Sequence, residues 1–217
     1  MTYQRGSKGE MVRQIQRALC SAGFGVIIDG FFGQITEEAV KAFQSTNALK
    51  CDGIVGPATL AKLMVARGQE AVKHKRSKRK IKEIIVHCSA TPEGEDYTVA
   101  DIRRWHKQQG WSDIGYHYVV YRDGSIHNGR DVDIIGAHCS KGGHNTYSIG
   151  VCYIGGVTND GSKKKKDTRT SEQRDALIIL LTDLRRLYPD ARIYGHNDFD
   201  KGKDCPSFDA KTEYRNI

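Results

Sequence analysis

The chain has 217 residues and 24.3 kDa, with 38% hydrophobic and 28% charged residues and a mean hydropathy of −0.56. It has no apolar run near the roughly 18–20 residues of a bilayer span, and Met1–Glu10 lacks the apolar stretch of a signal peptide, so neither membrane insertion nor conventional export is expected. The net charge of +8 is uneven: residues 1–64 carry 7 basic and 5 acidic side chains, residues 65–82 carry 8 and 1, and residues 83–217 carry 19 and 20. The basic character therefore sits in one short segment that includes His74-Lys75-Arg76-Ser77-Lys78-Arg79-Lys80, which reads as a solvated interdomain linker rather than a nucleic-acid surface. A positive tether of this kind could also hold the chain near an anionic surface. The six cysteines form no CxxC pair, so free thiols in a reducing compartment are expected, with at least one a candidate metal ligand.

The first 64 residues contain an internal repeat. Asp29-Gly30-Phe31-Phe32-Gly33-Gln34-Ile35-Thr36 is echoed by Asp52-Gly53-Ile54-Val55-Gly56-Pro57-Ala58-Thr59, each copy reading as a turn that feeds a helix. Ala39, Val40 and Phe43 share one helical face behind the first copy, and Leu60, Leu63 and Met64 share one behind the second. An earlier helix over residues 10–22 places Val12, Ile15, Leu19 and Ala22 together and stops at Gly23. A small all-α three-helix domain with no cluster of catalytic residue types follows, and on physics alone it is a binding module. Gly9, Val12, Gln16, Leu19, Gly23, the two Asp-Gly turns, Gly33, Thr36, Phe43-Gln44, Gly56, Thr59 and Leu63 resemble the type 1 peptidoglycan-binding domain family. That resemblance implies non-covalent attachment to bacterial peptidoglycan.

Residues 83–217 read as an α/β mixed central sheet flanked by helices. Glu83–Cys88 is an apolar, β-branched strand. Thr98 with Asp101 offers a capping box for a helix running to Gly110. Residues 116–121 read as a strand, Arg122-Asp123-Gly124-Ser125 as a hairpin turn, and residues 147–154 as another strand. The run Lys163–Lys166 marks an exposed loop. Thr170 with Gln173 opens a long amphipathic helix that Pro189 ends, and residues 191–194 form a last strand that delivers His196.

His87 at the end of the first strand, His196 after the last and Cys205 in the following loop are a donor set that suits zinc, with a fourth tetrahedral position open to water. Such an ion lowers the pKa of water and polarises a carbonyl, as amide hydrolysis requires. Spacing alone does not establish the site, because 8 His and 6 Cys make chance trios easy.

Several separate motifs add to the donor set. Val86-His87-Cys88-Ser89-Ala90-Thr91, Ile102–Lys107, Gly110-Trp111, Asp113–Tyr118, Arg122-Asp123-Gly124, Ser148-Ile149-Gly150-Val151 and Cys205–Asp209 occur in an order that closely resembles the zinc-dependent N-acetylmuramoyl-L-alanine amidases of phage lysozyme type, a family that shares its fold with peptidoglycan recognition proteins. The resemblance implies zinc ligands at His87, His196 and Cys205 and catalytic roles for Tyr116 and Lys203. The interval from His196 to Cys205 is one residue longer than in that family's phage members, so Lys201 competes with Lys203. Lys203 is favoured because it keeps its offset from the cysteine.

His138, His144 and Asn145 flank the strand into Gly150 and are expected to line a substrate groove, with plain loop chemistry as the alternative. His106 and His117 read as structural. A Cys88 nucleophile is disfavoured because alternation turns neighbouring side chains to opposite faces. The reading is thus a peptidoglycan hydrolase, organised as a peptidoglycan-binding domain (1–64), a basic linker (65–82) and a catalytic domain (83–217). It is expected to be monomeric, with peptidoglycan as partner, no nucleic acid and no membrane insertion. It would accumulate in a bacterial cytoplasm and reach the wall once the membrane is permeabilised. The alternative is a non-catalytic peptidoglycan-recognition protein on the same fold, which Cys205 argues against.

Overall fold

The computed structural model describes residues 2–66 and 74–217, which fall into two compact units divided between residues 73 and 74. The first unit has helices α1 (Glu10–Ser21), α2 (Gln34–Thr46) and α3 (Pro57–Ala66). Val12, Ile15, Leu19, Phe32, Val40, Phe43 and Leu63 are fully buried between them. The Met64 side chain lies outside the described residues.

The repeat in the sequence is a repeat of hydrogen bonding. Gln16 of α1 accepts from the Gly30 backbone N–H at 2.9 Å and donates to Asp29 Oδ1, Phe31 O and Thr36 Oγ1. Gln44 of α2 does the same for the second turn, accepting from Gly53 N–H at 2.9 Å and donating to Asp52 Oδ1, Ile54 O and Thr59 Oγ1. Each turn needs its glycine, because φ is +77° at Gly30 and +73° at Gly53. A buried glutamine thus satisfies polar groups that the turn cannot pair internally.

The second unit is built on a five-stranded sheet. Its strands in chain order are β1 (Glu83–Cys88), β3 (Tyr118–Val120), β4 (Ile126–Asn128), β5 (Ser148–Tyr153) and β7 (Arg192–Gly195), while β2 (Thr91–Pro92) and β6 (Gly156–Val157) form a separate short pair. The spatial order is β4-β3-β5-β1-β7, parallel except for the β3–β4 hairpin. Helices α4 (Val99–Gln108) and α5 (Ser171–Leu187) flank the sheet, and α6 (His196–Phe199) and α7 (Ala210–Glu213) close the chain. Both expected capping boxes are formed, Thr98 with Asp101 and Thr170 with Gln173. Ala176, Leu177, Leu180, Leu181 and Leu184 are the fully buried apolar residues of α5.

Two expectations change. The strand expected over 116–121 is only Tyr118–Val120, because the Tyr116 and His117 carbonyls accept from Arg130 and Gly129 N–H and leave the regular ladder. The basic segment is also not wholly a solvated linker. Residues 67–73 lie outside the described residues, but residues 74–82 pack onto the second unit. Ser77 N–H donates to Tyr188 Oη at 2.6 Å, and Ser77 Oγ donates to the Val132 carbonyl at 2.7 Å. Lys75 pairs with Asp133 at 2.6 Å, and Lys82 N–H joins the Tyr147 carbonyl. Arg79 donates to the carbonyls of Val132, Asn145, Thr146 and Ser148. A guanidinium with five N–H donors suits such a ring of carbonyls, so part of this positive charge is used inside the fold. The Lys163–Lys166 run is exposed as expected, with Lys165 paired to Asp204 and Lys166 to Glu93.

Candidate metal centre

Interior strand β1 is buried along nearly its whole length, and it carries His87 to the rim of the sheet with 1% exposure. Neighbouring β7 pairs in parallel with β1 and ends at Gly195, so the next residue, His196, begins α6 at the same rim. The loop after α6 returns, and Asn197 N–H donates to the Cys205 carbonyl at 2.8 Å. The Cys205 sulfur accepts from the Cys88 backbone N–H at 3.2 Å and lies 3.5 Å from His87 Nδ1. The His87 and His196 ring centroids are 4.7 Å apart.

The ligand atoms of His87, His196 and Cys205 all lie within 4.8 Å of one another, the one such group of three or more metal-ligating side chains among the described residues. Nitrogen and sulfur ligands of a tetrahedral zinc ion sit about 3.6 Å apart, which the 3.5 Å His87–Cys205 separation matches. Burial and the neighbouring His196 and His117 hold His87 well below the usual imidazole range. Burial and the Lys203 ammonium lower His196. Both rings are therefore neutral near pH 7, the state in which imidazole binds a metal. The hydrogen bond with Cys88 and burial push the Cys205 thiol well up. A divalent cation is what would draw the thiolate out. Two neutral imidazoles and a half-buried thiol fit zinc.

Tyr116 lies beside this group, with its ring 5.2 Å from that of His87. Burial first, and then the sulfurs of Cys152, Cys205 and Cys88, raise its phenol well above the ordinary value, so it stays protonated. Lys203 is exposed and close enough to His196 for its charge to act on that ring. The charge of Lys201 acts instead on Asp209. Both lysines line an open hollow of about 510 Å³ with Asn197, Asp198 and Ser207. Cys88 is buried and in van der Waals contact with Gly156, where a Cβ would fall 2.5 Å from its sulfur. Its hydrogen bond with Cys205 brings its thiol down to about 7.

Each of the three residues expected to line a substrate groove makes a hydrogen bond within the fold. His138 is only 7% exposed, with Nδ1 at 3.0 Å from His87 Nε2 and Nε2 at 3.3 Å from Ser148 Oγ. Asn145 Oδ1 accepts from the backbone N–H groups of His138 and Cys139, at 2.9 and 2.7 Å. His144 pairs with Glu83 at 2.8 Å and lies against Phe199. His138 is thereby closed off from solvent, which sequence neighbourhood could not reveal, while His144 and Asn145 are half-buried. His106 accepts from Gly115 N–H and stacks on Trp111, and His117 accepts from Gly150 N–H, so both are held structurally. Arg79 escaped the sequence reading. Its guanidinium stands 3.1 Å from His117 Nε2 while holding the segment before β5, and a charge run gives no sign of such a contact.

Comparison with known proteins gives a match in each unit. A family model described as N-acetylmuramoyl-L-alanine amidase matches residues 77–208, and one described as a putative peptidoglycan binding domain matches residues 8–63. The chain is 44% identical over 129 residues to the endolysin of Enterobacteria phage K11, covering 59% of this chain and 82% of that one. It is 43% identical over 128 residues to the endolysin of Escherichia phage T7, with the same coverage. Among solved structures, the N-acetylmuramoyl-L-alanine amidase LysC from Clostridium intestinale URNW superposes with a TM-score of 0.52 at 25% identity, covering 65% of this chain and 90% of that one. The amidase match begins at residue 77, inside the segment that packs onto the catalytic unit.

Proposed function

This chain belongs to the N-acetylmuramoyl-L-alanine amidase family and hydrolyses peptidoglycan, and from that premise we propose that His87, His196 and Cys205 hold a catalytic zinc ion served by Lys203 and Tyr116. The bond cleaved is the amide between the lactyl group of N-acetylmuramic acid and the L-alanine of the stem peptide. The observation that carries the reading is the convergence of three ligand atoms within 4.8 Å of one another.

When bound, zinc supplies Lewis acidity that polarises the scissile carbonyl and makes water a nucleophile near neutral pH. The neutral rings of His87 and His196 keep lone pairs available for it. The Lys203 ammonium stabilises negative charge developing on the carbonyl oxygen, at the point where the transition state differs most from the substrate. Burial raises the phenol of Tyr116 and keeps its proton, and this hydroxyl beside His87 is the donor that would hydrogen-bond the same developing charge. The amine leaves after taking up a proton.

The first unit gives the enzyme affinity for the wall, with the two glutamine-braced turns as its rigid frame. In this reading the protein gathers in the bacterial cytoplasm and meets its polymer when the membrane fails. Mass spectrometry of digested peptidoglycan tests the bond assignment. Free L-alanine amino termini with intact glycan strands are expected, and shortened glycan strands or stem peptides cut internally would overturn it.

A further inference from the structure

Beyond the three ligands, the rim carries a buried polar chain. His87 Nε2 is 3.0 Å from His138 Nδ1, and His138 Nε2 is 3.3 Å from Ser148 Oγ. The other nitrogen of His87, Nδ1, is the one that lies 3.5 Å from Cys205 Sγ. We propose that His138 is a positioning residue that accepts the Nε2 proton of His87 and so fixes the tautomer and ring orientation that leave the His87 Nδ1 lone pair facing Cys205.

A single proton lies between the two rings. If His138 donated it, neutral His87 would carry its own proton on Nδ1 and present no lone pair there. If His87 donates it, His138 Nδ1 accepts and His138 Nε2–H donates onward to the Ser148 hydroxyl, so both rings are satisfied as neutral imidazoles. Metal-binding histidines generally donate their second N–H to such a partner, and loss of the partner weakens metal binding about 10–100-fold.

The surroundings hold His138 in that pose from several sides. A Cβ at Gly136 would fall 2.6 Å from its ring and one at Gly150 would fall 2.5 Å from it, so both backbones approach too closely for any side chain. Asn145 Oδ1 accepts from the backbone N–H groups of His138 and Cys139. Arg79 in turn holds the Asn145 and Ser148 carbonyls. The ring has no freedom to swing out towards a substrate.

The inference rests on the zinc reading above, and its test separates the two. Imidazole ¹⁵N spectra of the full-length wild-type protein, stripped of zinc, report the tautomer directly. The expected spectrum has His87 protonated on Nε2, with scalar coupling across the hydrogen bond to His138 Nδ1. Zinc dissociation constants from chelator competition are then compared for wild type, His138→Leu and His138→Asn. A 10–100-fold weakening is expected in His138→Leu. Recovery to within a few-fold of wild type is expected in His138→Asn, whose amide oxygen can take the place of Nδ1. A His87 proton on Nδ1 in the wild type, or a His138→Leu protein that binds zinc as the wild type does, overturns the inference and leaves the ligand set intact. A wild-type chain that binds no zinc overturns the ligand set and the inference together. The wild-type spectrum decides even if His138→Leu does not fold.

Discussion

The Nδ1 atom of His87 and the Sγ atom of Cys205 stand 3.5 Å apart although 118 positions of sequence separate them. Parallel pairing of β1 with β7 puts the ends of both strands at one rim, and the Cys88 backbone N–H anchors the returning cysteine. Cys205→Ser replaces a polarisable thiolate with a hydroxyl that does not ionise readily, and zinc affinity should fall by at least 10-fold. Chelator competition measures this, and unchanged affinity would remove Cys205 from the ligand set.

The two lysines of the last loop should separate kinetically. Lys203 acts electrostatically on His196, whereas Lys201 acts on Asp209. Lys203→Ala should lower kcat by about 10²–10³ with zinc retained, the usual cost of removing one donor to a developing oxyanion. Lys201→Ala should change kcat by less than about 3-fold. Release of amino termini from a soluble muramyl peptide reads both, and the reverse order would reassign the role.

The catalytic unit should begin at His74 and not at Glu83. A fragment of residues 74–217 keeps Ser77 on Tyr188 and Arg79 on four carbonyls, while one of residues 83–217 loses both. Arg79→Ala leaves those carbonyls without their donor and should cost about 2–4 kcal/mol, read as a lower denaturation midpoint with an unchanged slope. Equal stability of the two fragments would contradict the packing.

Acid should destabilise the zinc-free protein in two successive windows. Burial depresses His117 to about 4 in the folded state. The stability linked to its neutral ring is therefore complete above its unfolded value near 6.5 and is lost as pH falls through about 4, a change of about 3 kcal/mol. Asp167 is held at about 2 by its bonds and charge interaction with Arg169, despite burial that opposes them. Its contribution, on the order of 1 kcal/mol after solvent screening, is present above about 4 and lost towards pH 2. Urea unfolding at stepped pH measures both, and His117→Gln should flatten the slope between pH 6.5 and 4 by up to one proton.

In the first unit, Gln16→Ala and Gln44→Ala should each cost about 2–3 kcal/mol, because each leaves a buried turn with unpaired groups. Thermal unfolding of the isolated unit would show this. A neutral effect at either position would mean that its turn is held by its own backbone.

Most of the fold was legible because local chemistry and tertiary packing agree. Thr98–Asp101 and Thr170–Gln173 announce helix starts, and β-branched runs announce β1 and β5. The doubled Asp-Gly turn was visible, but its bracing by Gln16 and Gln44 was not, since those contacts span 8 to 20 residues. The ligand trio was legible only through motif order. Residues 74–82 misled because a basic run looks solvated whether or not one of its guanidinium groups reaches carbonyls 53 to 69 residues away. The burial of His138 was hidden for the opposite reason. Polar residues at a strand entrance look open until the glycines that let the backbone close over His138 are seen beside it.

Zinc content and hydrolysis measured on one preparation test the central claim most directly. The account predicts one zinc ion per chain, loss of amino-terminus release from peptidoglycan when a chelator removes it, and recovery when zinc alone is returned. Full release by metal-free protein would contradict it.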